Sequence, residues 1–140
     1  MRNRTRMILL LEDECELSSI ISESLGAKGA HVVSCATLTE VQFKLKNQVF
    51  DTIVFDLRVK GGTSLALIEQ LHEARLHPDS KDFFTQNAHA PLIVVSGHLD
   101  VPTVKTIGKA VTKVMVKPCP LESLCSLIFD AGSLARAKAA

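Results

Sequence analysis

The chain has 140 residues, 46% hydrophobic and 22% charged, which suits one domain with a real core and an ordinary soluble, globular composition. Its 16 basic and 15 acidic residues leave a net charge of +1, so nothing global argues for nucleic acid or an anionic membrane as partner. Cys15, Cys35, Cys119 and Cys125 form no C-x-x-C pair, which points to reduced, mostly core-filling thiols in a cytoplasm rather than to disulfides or a metal centre.

In chain order, Arg2, Arg4 and Arg6 read as a solvated basic tail over residues 1–6. Met7 to Leu11 (MILLL) is almost continuously apolar, as a strand covered on both faces must be, and is too short for a signal core or a membrane span. A helix follows from Glu14 to about Ala27, with Leu17, Ile20, Ile21 and Leu25 on one stripe and Gly26 and Gly29 ending it. His31 to Cys35 is the second strand. Thr37 to Glu40 has the form of a capping box, which starts a helix running to about Gln48. Thr52 to Phe55 is the third strand, and Ser64 to about Arg75 the third helix. Residues 77–90 are a long connection for such a unit, expected to be pinned by Phe83 and Phe84 and mobile at its polar ends. Pro91 opens the fourth strand (PLIVVS). Asp100 caps a fourth helix with Pro102 in its first turn. Lys113 to Val116 is the fifth strand, and Pro120 starts a last helix to about Asp130. The alternation predicts a parallel-sheet α/β domain over residues 7–130 with a small basic tail over 131–140. No output domain is read after residue 130, which leaves a stand-alone domain or a fragment of a longer protein as the two expectations.

Each strand ends in residues that a core would not choose. Glu12, Asp13 and Glu14 follow the first, Asp56 the third, Ser96 and Gly97 the fourth, Lys117 and Pro118 the fifth. In an open parallel sheet these carboxyl ends line one edge, where ligands bind. Crowded carboxylates raise one another's pKa unless a cation sits among them, and one lysine is insufficient for three. A divalent ion with oxygen ligands is the natural neutraliser, and Mg²⁺ suits a carboxylate-and-water shell. The acids after the first strand would repel a bare phosphate, so the pattern excludes an ordinary nucleotide cradle. A phosphoryl group can enter with a metal, be held by Lys117 and Ser96, and be attacked by Asp56.

With Glu12-Asp13 after ILLL, Asp56-Leu57 after IVF, Ser96-Gly97 after LIVV and Lys117-Pro118 after VMV, the chain resembles a receiver domain of two-component response regulators from Ile8 to about Phe129. The resemblance implies a doubly wound (βα)5, flavodoxin-like fold with a five-stranded parallel sheet of order 2-1-3-4-5. It implies that Asp56 is the phosphoacceptor for a histidine kinase or phosphotransfer protein, and that Asp13 and Asp56 ligate Mg²⁺ directly. The Arg58 backbone carbonyl would complete the protein ligands, with Glu12 acting through water. Ser96 would be the switch hydroxyl, Lys117 its ion-pair partner, and the Lys117-Pro118 peptide cis. Three departures stand out: Lys60 in place of Pro with Ser64 in place of Gly in the loop after Asp56, Val114 in place of the aromatic half of the switch, and a longer connection before Pro91.

Taken alone, Asp56 could be a helix cap or a partner of Lys117; the other residues in register favour the phosphoacceptor. Glu14 and Glu16 read as first-turn helix charges, His98 as an exposed rim residue, and His72, His77 and His89 as surface residues. The expected function is a phosphoaccepting cytoplasmic signalling domain that alters an unidentified downstream protein. It is expected to catalyse at most its own phosphorylation and dephosphorylation, and to bind neither nucleic acid nor membrane. A degenerate receiver acting as a phosphorylation-independent binding module is the first alternative. A small Mg²⁺-dependent aspartyl phosphohydrolase is the second, against which Arg58 stands where such enzymes carry another acid.

Overall fold

The computed structural model describes residues 5–79 and 83–139, and the side chains of these except Phe83 and 132–139. Arg2, Arg4 and most of the C-terminal tail's side chains therefore lie outside the described residues. The elements run β1 (Met7–Leu11), α1 (Cys15–Ala27), β2 (His31–Cys35), α2 (Leu38–Asn47), β3 (Thr52–Asp56), β4 (Arg58–Val59), β5 (Gly62–Thr63), α3 (Leu65–Leu76), β6 (Leu92–Ser96), α4 (Val101–Ile107), β7 (Lys113–Val116) and α5 (Leu121–Ala139). The main sheet has the order β2-β1-β3-β6-β7 and every pairing in it is parallel, which is 2-1-3-4-5 when only its own strands are counted. β4 and β5 form a separate antiparallel hairpin absent from the sequence reading.

The period of two along each strand divides the core. Leu9, Leu11, Ile53, Phe55, Leu92 and Val94 face one way, onto Val41 and Leu45 of α2, Ile68 and Leu71 of α3, and Ile107 of α4. Ile8, Leu10, Val54, Ile93 and Val95 face the other way, onto Ile21 and Leu25 of α1 and Leu124 and Ile128 of α5. The three inner strands are buried almost throughout, whereas the edge strands β2 and β7 alternate with exposed residues. The expected caps are present: Thr37 Oγ1 accepts from the Glu40 N–H at 3.2 Å and Asp100 Oδ1 from the Thr103 N–H at 2.8 Å.

Three readings need correction or completion. The last helix passes Asp130 and reaches Ala139. Arg6 is no solvated tail residue: its guanidinium lies 3.8 Å from the Phe129 ring centroid and donates to the Phe129 carbonyl at 2.8 Å. The long connection is held by more than an aromatic plug. Phe84 is buried as expected, but buried Asn87 donates to the carbonyls of Leu45 (3.1 Å) and Gln48 (2.8 Å) and accepts from the Phe50 N–H at 2.8 Å. Gln86 donates to the carbonyls of Leu45 (2.7 Å) and Lys46 (2.9 Å), and Arg75 to that of Ala88 at 2.8 Å. The segment thus supplies donors to the unpaired carbonyls at the end of α2.

Candidate functional site

Parallel strands deliver their carboxyl ends to one edge, and the site is built there. Glu12 and Asp13 follow β1, with the Glu12 N–H still paired to the Cys35 carbonyl at 3.0 Å. Asp56 closes β3, Ser96 closes β6, and Lys117 follows β7, its N–H on the Ser96 carbonyl at 2.8 Å. The Lys117-Pro118 peptide is cis, as the resemblance implied.

Lys117 joins the two buried acids. Its Nζ lies 2.6 Å from Glu12 Oε1 and 3.0 Å from Asp56 Oδ2. The remaining oxygens take backbone donors: the Glu14 N–H lies 3.2 Å from Glu12 Oε2, and the Arg58 N–H lies 3.3 Å from Asp56 Oδ1. Burial pushes the Glu12 carboxyl above its ordinary pKa, and the hydrogen bonds from Lys117 and Glu14 offset only part of that. Burial alone would lower Lys117, but its hydrogen bonds to Glu12 and Asp56 outweigh it, so the net shift is upward and the ammonium persists.

Asp13 is half-buried and accepts from the Lys60 N–H at 2.9 Å. One ligand oxygen from each of Glu12, Asp13 and Asp56 lies within 4.8 Å of the other two. Three acids against Lys117 leave a formal charge of −2, and the donors are all hard oxygens, so the set fits a divalent cation such as Mg²⁺. Arg58 presents its N–H to Asp56 Oδ1 at 3.3 Å.

The loop after Asp56 shows what the departures from the family pattern do. Lys60 and Gly61 turn the β4–β5 hairpin, Gly61 at φ 88°, a left-handed conformation that side chains disfavour. Ser64 is fully buried; its hydroxyl donates to the Asp56 carbonyl at 2.9 Å and its N–H to the Leu57 carbonyl at 2.9 Å. Sequence reading missed Ser64 as a positioning residue, although a Gly-Gly pair ahead of a hydroxyl was the available signal for a chain returning on itself.

Ser96 is buried beside Asp56's strand partner Val95, but its hydroxyl donates to the His98 carbonyl at 3.0 Å and accepts from the His98 N–H at 3.3 Å. A Cβ on Gly97 would meet no atom within 4 Å, so space remains open at this strand end. His98 is exposed, as expected. Val114 lies half-buried against the α2–α3–α4 side of the core together with Leu99. All four cysteines are free; Cys15 is exposed rather than core-filling, and burial pushes the Cys35 thiol up to about 11.

No family model matches the chain. A curated relative, the C4-dicarboxylate transport transcriptional regulatory protein DctD of Pseudomonas aeruginosa, is 29% identical over 121 residues covering 84% of this chain. The chain spans only 23% of that relative's length. Among solved structures, a CheY-like response regulator receiver domain from Methanospirillum hungatei superposes with a TM-score of 0.80 at 19% identity, covering 96% of this chain and 99% of that one. The beryllofluoride-activated NtrC4 receiver domain dimer gives 0.74 at 28% identity, covering 92% and 98%. The receiver domain of sensor histidine kinase PA1611 from Pseudomonas aeruginosa, solved with magnesium in its active-site cleft, gives 0.72 at 16% identity, covering 93% and 99%. The chain has the receiver-domain fold of response regulators.

Proposed function

We propose that this receiver domain accepts a phosphoryl group on Asp56 from the phosphohistidine of a histidine kinase or phosphotransfer protein, and passes the signal to a downstream protein. The observation that carries the reading is the joining of Glu12, Asp13 and Asp56 within ligand distance, with Lys117 at 3.0 Å from the acceptor oxygen. An Asp56 carboxylate oxygen attacks phosphorus; a P–O bond forms as the P–N bond breaks, and the imidazole leaves with the electron pair. Mg²⁺, when bound, would neutralise charge shared by the carboxylates and the phosphoryl oxygens. Glu12, Asp13 and Asp56 would hold it, with the Arg58 carbonyl as a further donor. Lys117 is placed to follow the transferred charge, and the Ser96 hydroxyl can turn from His98 toward the phosphoryl group, which frees the loop leading into α4. The Ser64 hydroxyl and the Arg58 N–H keep Asp56 in position while this happens.

On this reading the domain is a cytoplasmic signalling switch that catalyses at most its own phosphorylation and dephosphorylation; among the described residues no helix is long and apolar enough to cross a membrane. The test is incubation with acetyl phosphate and Mg²⁺, read by intact mass. One phosphoryl group labile to hydroxylamine is expected on the parent and none on Asp56→Asn. Equal labelling of the two would remove Asp56 as acceptor.

A further inference from the structure

A cavity of about 350 Å³ opens between α1 and α5, directly beside the acid cluster. Leu10 and Val95 of the sheet, Leu17 and Ile21 of α1, and Leu121 and Leu124 of α5 give it apolar walls, while Glu12, Asp56 and Lys117 form one polar end. That volume is at the lower end of small-molecule sites, and well above the roughly 150 Å³ that admits benzene into an apolar core.

The polar end states what an occupant must bring. Two carboxylates against one ammonium repel an anion. All four carboxylate oxygens already accept a hydrogen bond, from Lys117, the Glu14 N–H or the Arg58 N–H. The ammonium has three donors and two are spent on Glu12 and Asp56, so it keeps one N–H for an occupant, while the lone pairs left on the carboxylates are those a cation at the acid cluster would use. We propose that this cavity binds a small uncharged molecule with an apolar body and a single hydrogen-bond acceptor, the acceptor meeting Lys117. On the phosphoacceptor reading above, on which this consequence alone rests, the occupant takes the N–H that an incoming phosphoryl group needs, and so slows phosphorylation.

The protein carries its own reporter. Cys119 lines the cavity and is half-exposed, Cys35 and Cys125 are buried, and Cys15 can be removed as Cys15→Ser. In that background, 1-indanone and its hydrocarbon counterpart indane should both slow alkylation of Cys119 by N-ethylmaleimide. Both should also shift amide resonances of residues 10–12, 17–21 and 119–124. Leu17→Phe and Leu121→Phe, each checked for unchanged unfolding temperature, should abolish both effects by filling the space. Lys117→Met should raise the ratio of the indanone Kd to the indane Kd by about tenfold, because only indanone loses a hydrogen bond to a charged donor. These readouts need no phosphorylation, so they stand or fall apart from the proposed function. Absence of Cys119 protection by both compounds, or protection undiminished in both Phe variants, overturns the site. An unchanged Kd ratio in Lys117→Met overturns the acceptor assignment.

Discussion

Replacing Lys117 with Met should destabilise the protein in a pH-dependent way that follows from the geometry. The substitution keeps an apolar stem but removes the ammonium 2.6 Å from Glu12 and 3.0 Å from Asp56, whose side chains are 3% and 11% exposed. Breaking a buried ion pair by deleting one partner costs about 3–5 kcal/mol, and the lower figure applies because Lys117 itself is 25% exposed. A loss of about 3 kcal/mol at pH 7.5 corresponds to a urea midpoint lower by about 1.5 M for an m-value of about 2 kcal/mol per M. Glu12 is already raised by burial, with Lys117 among the groups pulling it back, so the variant raises it further. A carboxyl whose folded pKa exceeds its unfolded value binds more protons when folded, so stability is regained as pH falls through the folded value. The deficit should therefore shrink as the pH is lowered from 7.5 to 5, and Mg²⁺ should recover part of it at pH 7.5. Conversely, Lys117 is itself raised in the parent, so its stabilising contribution is present below its unfolded pKa and lost as alkaline pH passes the folded one; the variant lacks that alkaline decline. Urea titrations of both proteins at pH 5 and 7.5 decide the matter: the same deficit at both pH values would refute the buried carboxylate–ammonium picture.

Asn87→Ala removes three hydrogen bonds and leaves the Phe50 N–H buried without its acceptor, so unfolding should be easier by about 3 kcal/mol; a loss below about 0.5 kcal/mol would mean that the connection is held by Phe84 alone. Asp13→Ala should weaken Mg²⁺ binding, measured by calorimetry, far more than Glu14→Ala, because Glu14 is exposed and outside the acidic trio; equal effects would misplace the metal. Beryllofluoride with Mg²⁺ should shift amide resonances strongly at residues 96–102, where the Ser96 hydroxyl grips both the N–H and the carbonyl of His98, and weakly along α5. Val114 has no ring to swing and packs on the opposite side of the sheet from α5, so large shifts across α5 would show coupling by another route.

Much of this protein is written locally. The nearly continuous apolar run of β1 specifies a strand covered on both faces, and β1, β2 and β7 coincide with their sequence-read limits although β2 and β7 are half-exposed edge strands. The caps at Thr37 and Asp100 are local too, each a side chain meeting an N–H three residues on. Glu12, Asp13, Asp56, Ser96 and Lys117 were legible for the same reason: each stands where an apolar strand stops, and parallel strands stop on one edge.

What the chain alone could not specify are contacts between segments distant in sequence. Asn87 and Gln86 look like ordinary loop residues until the fold brings the α2 carbonyls to them, some 40 residues away in sequence. Arg6 looks like tail until α5 sets Phe129 beside it. Ser64 looks like a helix cap, yet its hydroxyl is spent on the Asp56 carbonyl because the hairpin turns at Gly61. The cavity between α1 and α5 has no motif, since the space depends on how far apart two helices settle on the sheet. Periodicity and strand ends are properties of neighbours along the chain; hydrogen-bond partners across the fold, and the gaps between packed helices, depend on distances that only the folded chain establishes.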